Sequence, residues 1–332
     1  LKGEYIMAHE LEIVDGQAQM AYAGEVPWHG LGVPVSNDLS PLQMMDKAGL
    51  NWKVETKPLY YKGTFASDVN VPFKKALVRE SDGKLLDVIG SDWEPVQNED
   101  AFNFFSEYVL AGDMEMNTAG SIREGRNIFA LAKVKESFEL FGGDQVDSYL
   151  LFSNPHQYGK SIDIKFTPIR VVCNNTLSVA LDSKSGVKLS HRVKFDADTV
   201  KETLGIASAK LAKYKEAAEY LGSKRYTVDS LIDYYNNVFP RTSSKKVDDG
   251  KITDKVLQLS KNAKDAYDAI ELQPGSNYAK GTWWQAYNSV TYITDHVQGR
   301  NADNRLYSSW FGGNQVRKKN ALEKALQFAE AA

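Results

Sequence analysis

The chain is 332 residues long, 42% hydrophobic and 25% charged, with a formal net charge of −3. That length accommodates two domains, or one domain with a large helical appendage, and the mildly acidic balance argues against a general polyanion binder. The single cysteine excludes an intrachain disulfide framework and any cysteine-based zinc cluster, and no run of 18 apolar residues is present to cross a membrane.

Residues 1–6, ahead of Met7, read as a tag remnant, and no basic-then-apolar leader opens the chain. With one cysteine, a reducing, cytoplasmic setting is expected. From about 50 to 90 the pattern is β. Pro58 to Phe65 is a Tyr-rich strand, and Lys74–Arg79 and Lys84–Ile89 flank Ser81-Asp82-Gly83, a hairpin signal because its central residues tolerate positive φ. Asn98 is then expected to cap a helix with Phe102, Phe105 and Val109 on its apolar face and Gly112 at its end.

A further sheet section follows. Asn117–Arg123 and Asn127–Lys135 flank a turn at Glu124-Gly125-Arg126, and Ser148–Phe152 precedes Ser161–Phe166. In the latter strand Ile162, Ile164 and Phe166 alternate with Asp163 and Lys165, which predicts one inward and one polar face. Pro168 is expected to limit that strand's pairing.

Beyond Asp196, a predicted N-cap, the chain turns helical. Val200, Leu204, Ala207, Leu211, Tyr214, Ala218 and Leu221 share one face, Gly222 closes the helix, and packing on a neighbouring helix is expected. Helices from Thr227 to Pro240 and near 254–272, 283–297 and 315–330 complete the pattern, with a charged linker at 240–250. The fold class is therefore α+β: an antiparallel β-rich domain over 7–195 with a strand-strand-strand-helix core, then a helical region over 196–332.

No catalytic constellation stands out. Tyr158-Gly159-Lys160-Ser161 mimics the end of a phosphate loop, but Asn154 occupies the position of its first glycine and a strand follows instead of a helix. His9, His29, His156, His191 and His296 show no metal-ligand spacing. Cys173 reads as a small core residue. Trp283 and Tyr287 share a face with Val290 and Val297 and read as core, whereas Trp284 lies off that stripe and is expected at a surface or interface. No cofactor is expected, and a binding role is favoured over an enzymatic one.

Charge is unevenly distributed. Residues 91–115 hold seven acids and no base, whereas residues 160–194 hold seven bases against two acids. Lys160, Lys165, Arg170, Lys188, Arg192 and Lys194, with Arg123 and Arg126 at a hairpin tip, form a candidate phosphate-contacting set.

Four segments carry a family resemblance: Pro27-Trp-His-Gly-Leu-Gly32, Thr167-Pro-Ile-Arg-Val-Val-Cys-Asn-Asn-Thr-Leu-Ser-Val-Ala-Leu181, Gly281-Thr-Trp-Trp-Gln-Ala-Tyr-Asn-Ser-Val-Thr-Tyr-Ile-Thr-Asp-His-Val297, and Arg305-Leu-Tyr-Ser-Ser-Trp-Phe-Gly-Gly313. Together they resemble the phage/plasmid-like protein family, a domain of unknown function found largely in phages and mobile elements. The strand-strand-strand-helix order also looks like the core of the RecT/Redβ-type single-strand annealing proteins. That likeness implies an oligomeric, ATP-independent protein of phage or plasmid recombination, acting in the bacterial cytoplasm with single-stranded DNA in a basic groove. The helix over 197–221 and the last helices would then make subunit contacts. The alternatives are a metal-dependent nucleic-acid or nucleotide enzyme, using acids of 92–115 with Asp295 and His296, and a protein-binding host-takeover factor.

Overall fold

The structure, a computed structural model, describes residues 11–27, 30–170, 175–176, 186–192, 212–241, 259–298 and 305–332. The tag-like residues 1–6, His9, His29, Cys173, Lys194, the predicted cap Asp196 and most of the 240–250 linker lie outside these. The fold is α+β, with antiparallel and mixed sheets and a series of C-terminal helices. Two compact units are formed, one from residues 1–135, 149–166 and 186–205, the other from residues 136–148, 167–185 and 206–332.

The first unit opens with a short β1–β2 pair (Ile13–Val14, Gln17–Ala18), then β3 (Met20–Ala23) and β4 (Val33–Val35). Helix α1 (Pro41–Lys47) starts at a capping box in which Ser40 and Gln43 each bond the other's backbone N–H, with Pro41 in the first turn. Strands β5 (Val54–Lys62), β6 (Asp68–Arg79) and β7 (Leu85–Gly90) make an antiparallel three-stranded sheet, and the predicted hairpin forms at Asp82-Gly83. Helix α2 (Asn98–Leu110) follows.

The larger sheet takes β8 (Met114–Ile122), β9 (Asn127–Leu140), β10 (Asp144–Pro155), β11 (Ile162–Arg170), β12 (Asn175–Thr176) and β13 (Gly186–Leu189). Its order is β12-β11-β10-β9-β8-β3-β4, with β13 also paired to β11. β3 and β4 run parallel, so the sheet is mixed. Helices α1 and α2 pack on each other and on β8. Their Met44, Met45, Phe102, Phe104 and Phe105 join Trp52, Trp93, Phe152, Ile162 and Ile164 in one apolar core.

Two sequence expectations change in this unit. Asn98 does not cap its helix: its Nδ2 donates to the carbonyls of Leu50 and Trp52, and its Oδ1 lies 2.9 Å from His156 Nε2. Lys165 shares the Asp163 face but is only 8% exposed, because β13 pairs across it and sets Gly186 opposite. β11 runs on through Pro168 to Arg170. Among the described residues, β13 pairs with Ile162–Lys165 and β12 with Ile169–Arg170.

The second unit is mainly helical. Residues 212–223 form helix α3, followed by α4 (Val228–Val238), α5 (Lys261–Ala269), α6 (Trp283–Tyr292), a π-helical turn (Ile293–Val297), α7 (Arg305–Phe311) and α8 (Gly313–Glu330). Tyr214, Ala218 and Leu221 of α3 are buried within the same chain, against a core that includes Tyr234, Trp283 and Leu322. That portion of the predicted heptad face is thus occupied intramolecularly. Trp284 is 1% exposed and donates to Asp144 Oδ2 at 3.2 Å, against the expectation of a surface residue. Helix α6 is buried on nearly every side, so leaving the apolar stripe does not bring a residue to solvent.

Candidate nucleic-acid interface

The antiparallel course of the larger sheet gathers three turns at one end. β8 ends at Ile122 and β9 starts at Asn127; β10 ends at Pro155 and β11 starts at Ile162; β13 ends at Leu189, opposite Ile162. Turns 123–126, 156–161 and 190–192 therefore emerge side by side, and the His156 N–H donates to the Arg126 carbonyl at 2.8 Å. Arg123, Glu124 and Gly125 all have positive φ (56°, 60° and 86°), and a Cβ at Gly125 would sit 2.9 Å from Arg79 Nη1. Glycine is needed there by both conformation and space.

This arrangement brings together Arg123, Arg126, Lys160 and Arg192. Arg126, Lys160 and Arg192 are exposed and Arg123 is partly so. Arg192 Nε lies 3.1 Å from Asp92, with both side chains more than half exposed. Lys188 is exposed and pairs across the ladder with Asp163. Lys165 is buried, its ammonium 3.4 Å from Asp163, and is unsuited to meeting a phosphate. Arg170 is the last residue of β11, whereas Lys160 precedes its first.

Beneath the turns is a rigid aromatic and imidazole layer. Trp93 stacks on His191 with centroids 4.1 Å apart. The Glu94 N–H donates to the His191 carbonyl at 2.9 Å, and His191 Nδ1 reaches the Glu94 carbonyl at 3.2 Å. Asn154 Nδ2 donates to the Val96 carbonyl at 2.9 Å. Because the Asn98 amide nitrogen is committed to two carbonyls, its oxygen must accept, which makes His156 the Nε2–H tautomer. Burial holds His156 neutral, with its pKa pushed down to about 3 and His191 adding to the shift. His191 is pushed down to about 4, burial outweighing the favourable carbonyls of Glu94 and Pro155.

A buried ion network fixes the neighbouring hairpin. Arg79 bonds Glu12 at 2.7 Å and both oxygens of Asp82 at 2.6 and 3.0 Å, with its guanidinium 5.1 Å from the Trp52 ring. Arg79 holds the Asp82 carboxyl down at about 2. Sequence reading missed this support layer because Trp52, Trp93, Asn98 and His156 carry no shared motif; only the fold brings them together.

Two of the acids expected for a metal site are held in ion pairs. Asp92 faces Arg192, while Asp295 bonds buried Lys318 at 2.7 Å. Among the described residues no group of three His, Cys, Asp or Glu side chains is placed to hold a metal ion, and no helix is long and apolar enough to cross a membrane.

No curated protein and no solved structure matches the chain. A family model does, over residues 85–325, a span that takes in β7, α2, the three turns and most of the helical unit. The chain therefore belongs to DUF932, a family described as a domain of unknown function.

Proposed function

We propose that this chain binds single-stranded DNA and promotes its annealing without ATP, as an oligomeric protein of phage or plasmid recombination in the bacterial cytoplasm. The observation that carries the reading is the convergence of Arg123, Arg126, Lys160 and Arg192 on three adjacent turns at one end of a sheet. Cationic side chains on short, braced turns can follow a phosphate backbone and release its counterions while leaving the bases free to pair. The order β5-β6-β7-α2 supports the likeness to annealing proteins, as a matter of topology alone. Subunit contacts in this reading do not use the Tyr214–Leu221 face of α3, which is buried within the chain.

The test is fluorescence anisotropy of a labelled single-stranded oligonucleotide across a salt series, beside the matching duplex, followed by annealing of complementary strands without ATP. Single-strand binding that weakens with salt, and accelerated annealing, are expected. Absence of binding to either form at low salt would end this reading.

A further inference from the structure

Beyond the turns, one element carries apolar surface that the fold itself does not use. β5 and β6 are solvent-exposed over most of residues 55–74, and a short 3-10 turn (Thr64–Ala66) closes their tip. This arm exposes Tyr60, Tyr61, Phe65 and Phe73, with Phe65 99% and Phe73 80% accessible. Single exposed apolar residues are ordinary, but four rings on one hairpin are not.

Two of these rings sit on backbone that a bulky residue rarely adopts. Phe65 has φ 61° and Phe73 φ 62°. At Phe73 the cause is a wide irregularity: the register passes from Pro58↔Lys75 to Tyr60↔Asn70, so residues 71–74 oppose Leu59 alone. The displaced segment turns the Phe73 ring into solvent. Such strain persists only where the surrounding structure enforces it, and it concentrates at binding sites.

Cations flank the rings, and the root of the arm meets the basic turns. Lys57 and Lys62 pair with Glu55 and Asp68 at the surface, at 3.4 and 2.6 Å. At the root, the Lys74 ammonium lies 5.0 Å from the Tyr158 ring, and Lys75 Nζ is 3.4 Å from the Ser91 carbonyl. Tyr158 belongs to the turn carrying Lys160, and Ser91 adjoins Asp92, the partner of Arg192.

From this continuity we infer that the β5–β6 arm is a stacking platform for the bases of single-stranded nucleic acid. Phe65, Phe73 and the tyrosines receive unstacked bases while Lys74 and Lys75 extend the cationic path of the turns. The inference rests on the DNA-binding reading and adds to it a choice of strand: only a single strand offers free base faces, and stacking on them is sequence-tolerant. A purely protein-binding arm would not need its root continuous with a cationic surface.

The test compares wild type with Phe65→Ala/Phe73→Ala and, separately, Arg126→Gln/Lys160→Gln, using labelled oligo(dT), the matching duplex and light scattering. Loss of the two rings should weaken oligo(dT) binding by about tenfold or more, with an unchanged salt slope and little effect on the duplex. The charge variant should instead lower the salt slope. As a second readout, Phe65→Trp places a reporter at the tip, whose fluorescence oligo(dT) should quench and duplex should not. If the ring variant binds oligo(dT) like wild type while the charge variant does not, the arm inference is overturned and the interface stands. If wild type binds no DNA, both fall. Altered oligomeric state with unchanged DNA affinity would make the arm a contact between copies and also overturn the inference.

Discussion

His156 is a buried base with one hydrogen-bonded nitrogen, and that sets how the first unit responds to acid. Its pKa falls from the ordinary 6.5 to about 3, and that of His191 to about 4, so the unfolded chain binds protons that the folded chain refuses. Stability is therefore fully present above about pH 6.5 and lost as pH falls towards 4, at about 1.4 kcal/mol per pH unit for each histidine. Urea midpoints measured from pH 7 to pH 4.5 should fall accordingly, and His156→Gln with His191→Gln should flatten the curve. An unchanged slope in that double variant would assign the acid sensitivity elsewhere. Lys318 poses the opposite problem in the helical unit. It is a fully buried cation whose pKa burial lowers, held by Asp295 at 2.7 Å on a π-helical turn. Asp295→Ala should cost about 3–5 kcal/mol by stranding the ammonium, and Asp295→Leu with Lys318→Met should recover much of that loss. Chemical denaturation of the double-mutant cycle tests the coupling. None of this was legible beforehand: a lysine on an amphipathic helix looks solvated until its neighbours are known.

At the level of elements, the sequence was clearest where local chemistry decides the outcome. Asp82-Gly83 made its hairpin, Thr227 opened its helix, and Ile162 and Ile164 turned inward. Misreadings came where a partner from elsewhere in the chain intervened, as with Asn98 drawn to His156, Lys165 covered by β13 and Trp284 enclosed around α6. The β5–β6 arm was visible only as a Tyr-rich strand, because its exposure depends on what fails to pack against it. Its strained residues nevertheless give a local prediction. In an ordinary strand valine outranks glycine, but at Phe73, with φ 62°, a β-branched residue meets the left-handed penalty and glycine does not. Phe73→Gly should therefore be more stable than Phe73→Val by about 1 kcal/mol. Thermal denaturation of the two variants decides it, and the usual order would mean the backbone there relaxes without cost.

For the whole molecule, net charge is a poor guide to binding because −3 averages over separate surfaces. The excess of bases over 160–194 was legible, but the sequence could not show which of them share a surface. The fold retains Lys160 and Arg192, adds Arg123 and Arg126 beside them, and removes Lys165 by burial. Four phosphate contacts on a single strand predict a log-affinity slope of about −3 against log salt, since each releases about 0.7 counterion. Replacing Arg126 or Lys160 by glutamine should make that slope shallower by about 0.7. Lys165→Gln should leave it unchanged and act on stability instead. Arg192 offers a sharper discrimination because Asp92 already occupies it at 3.1 Å. A phosphate must compete for that guanidinium, so Asp92→Asn should tighten single-strand binding at low salt, and the gain should vanish in an Arg192→Gln background. Anisotropy titrations of the two single variants and the double variant measure this directly. If Asp92→Asn tightens binding equally with and without Arg192, the aspartate acts as a general repulsive charge, and Arg192 is not part of the interface.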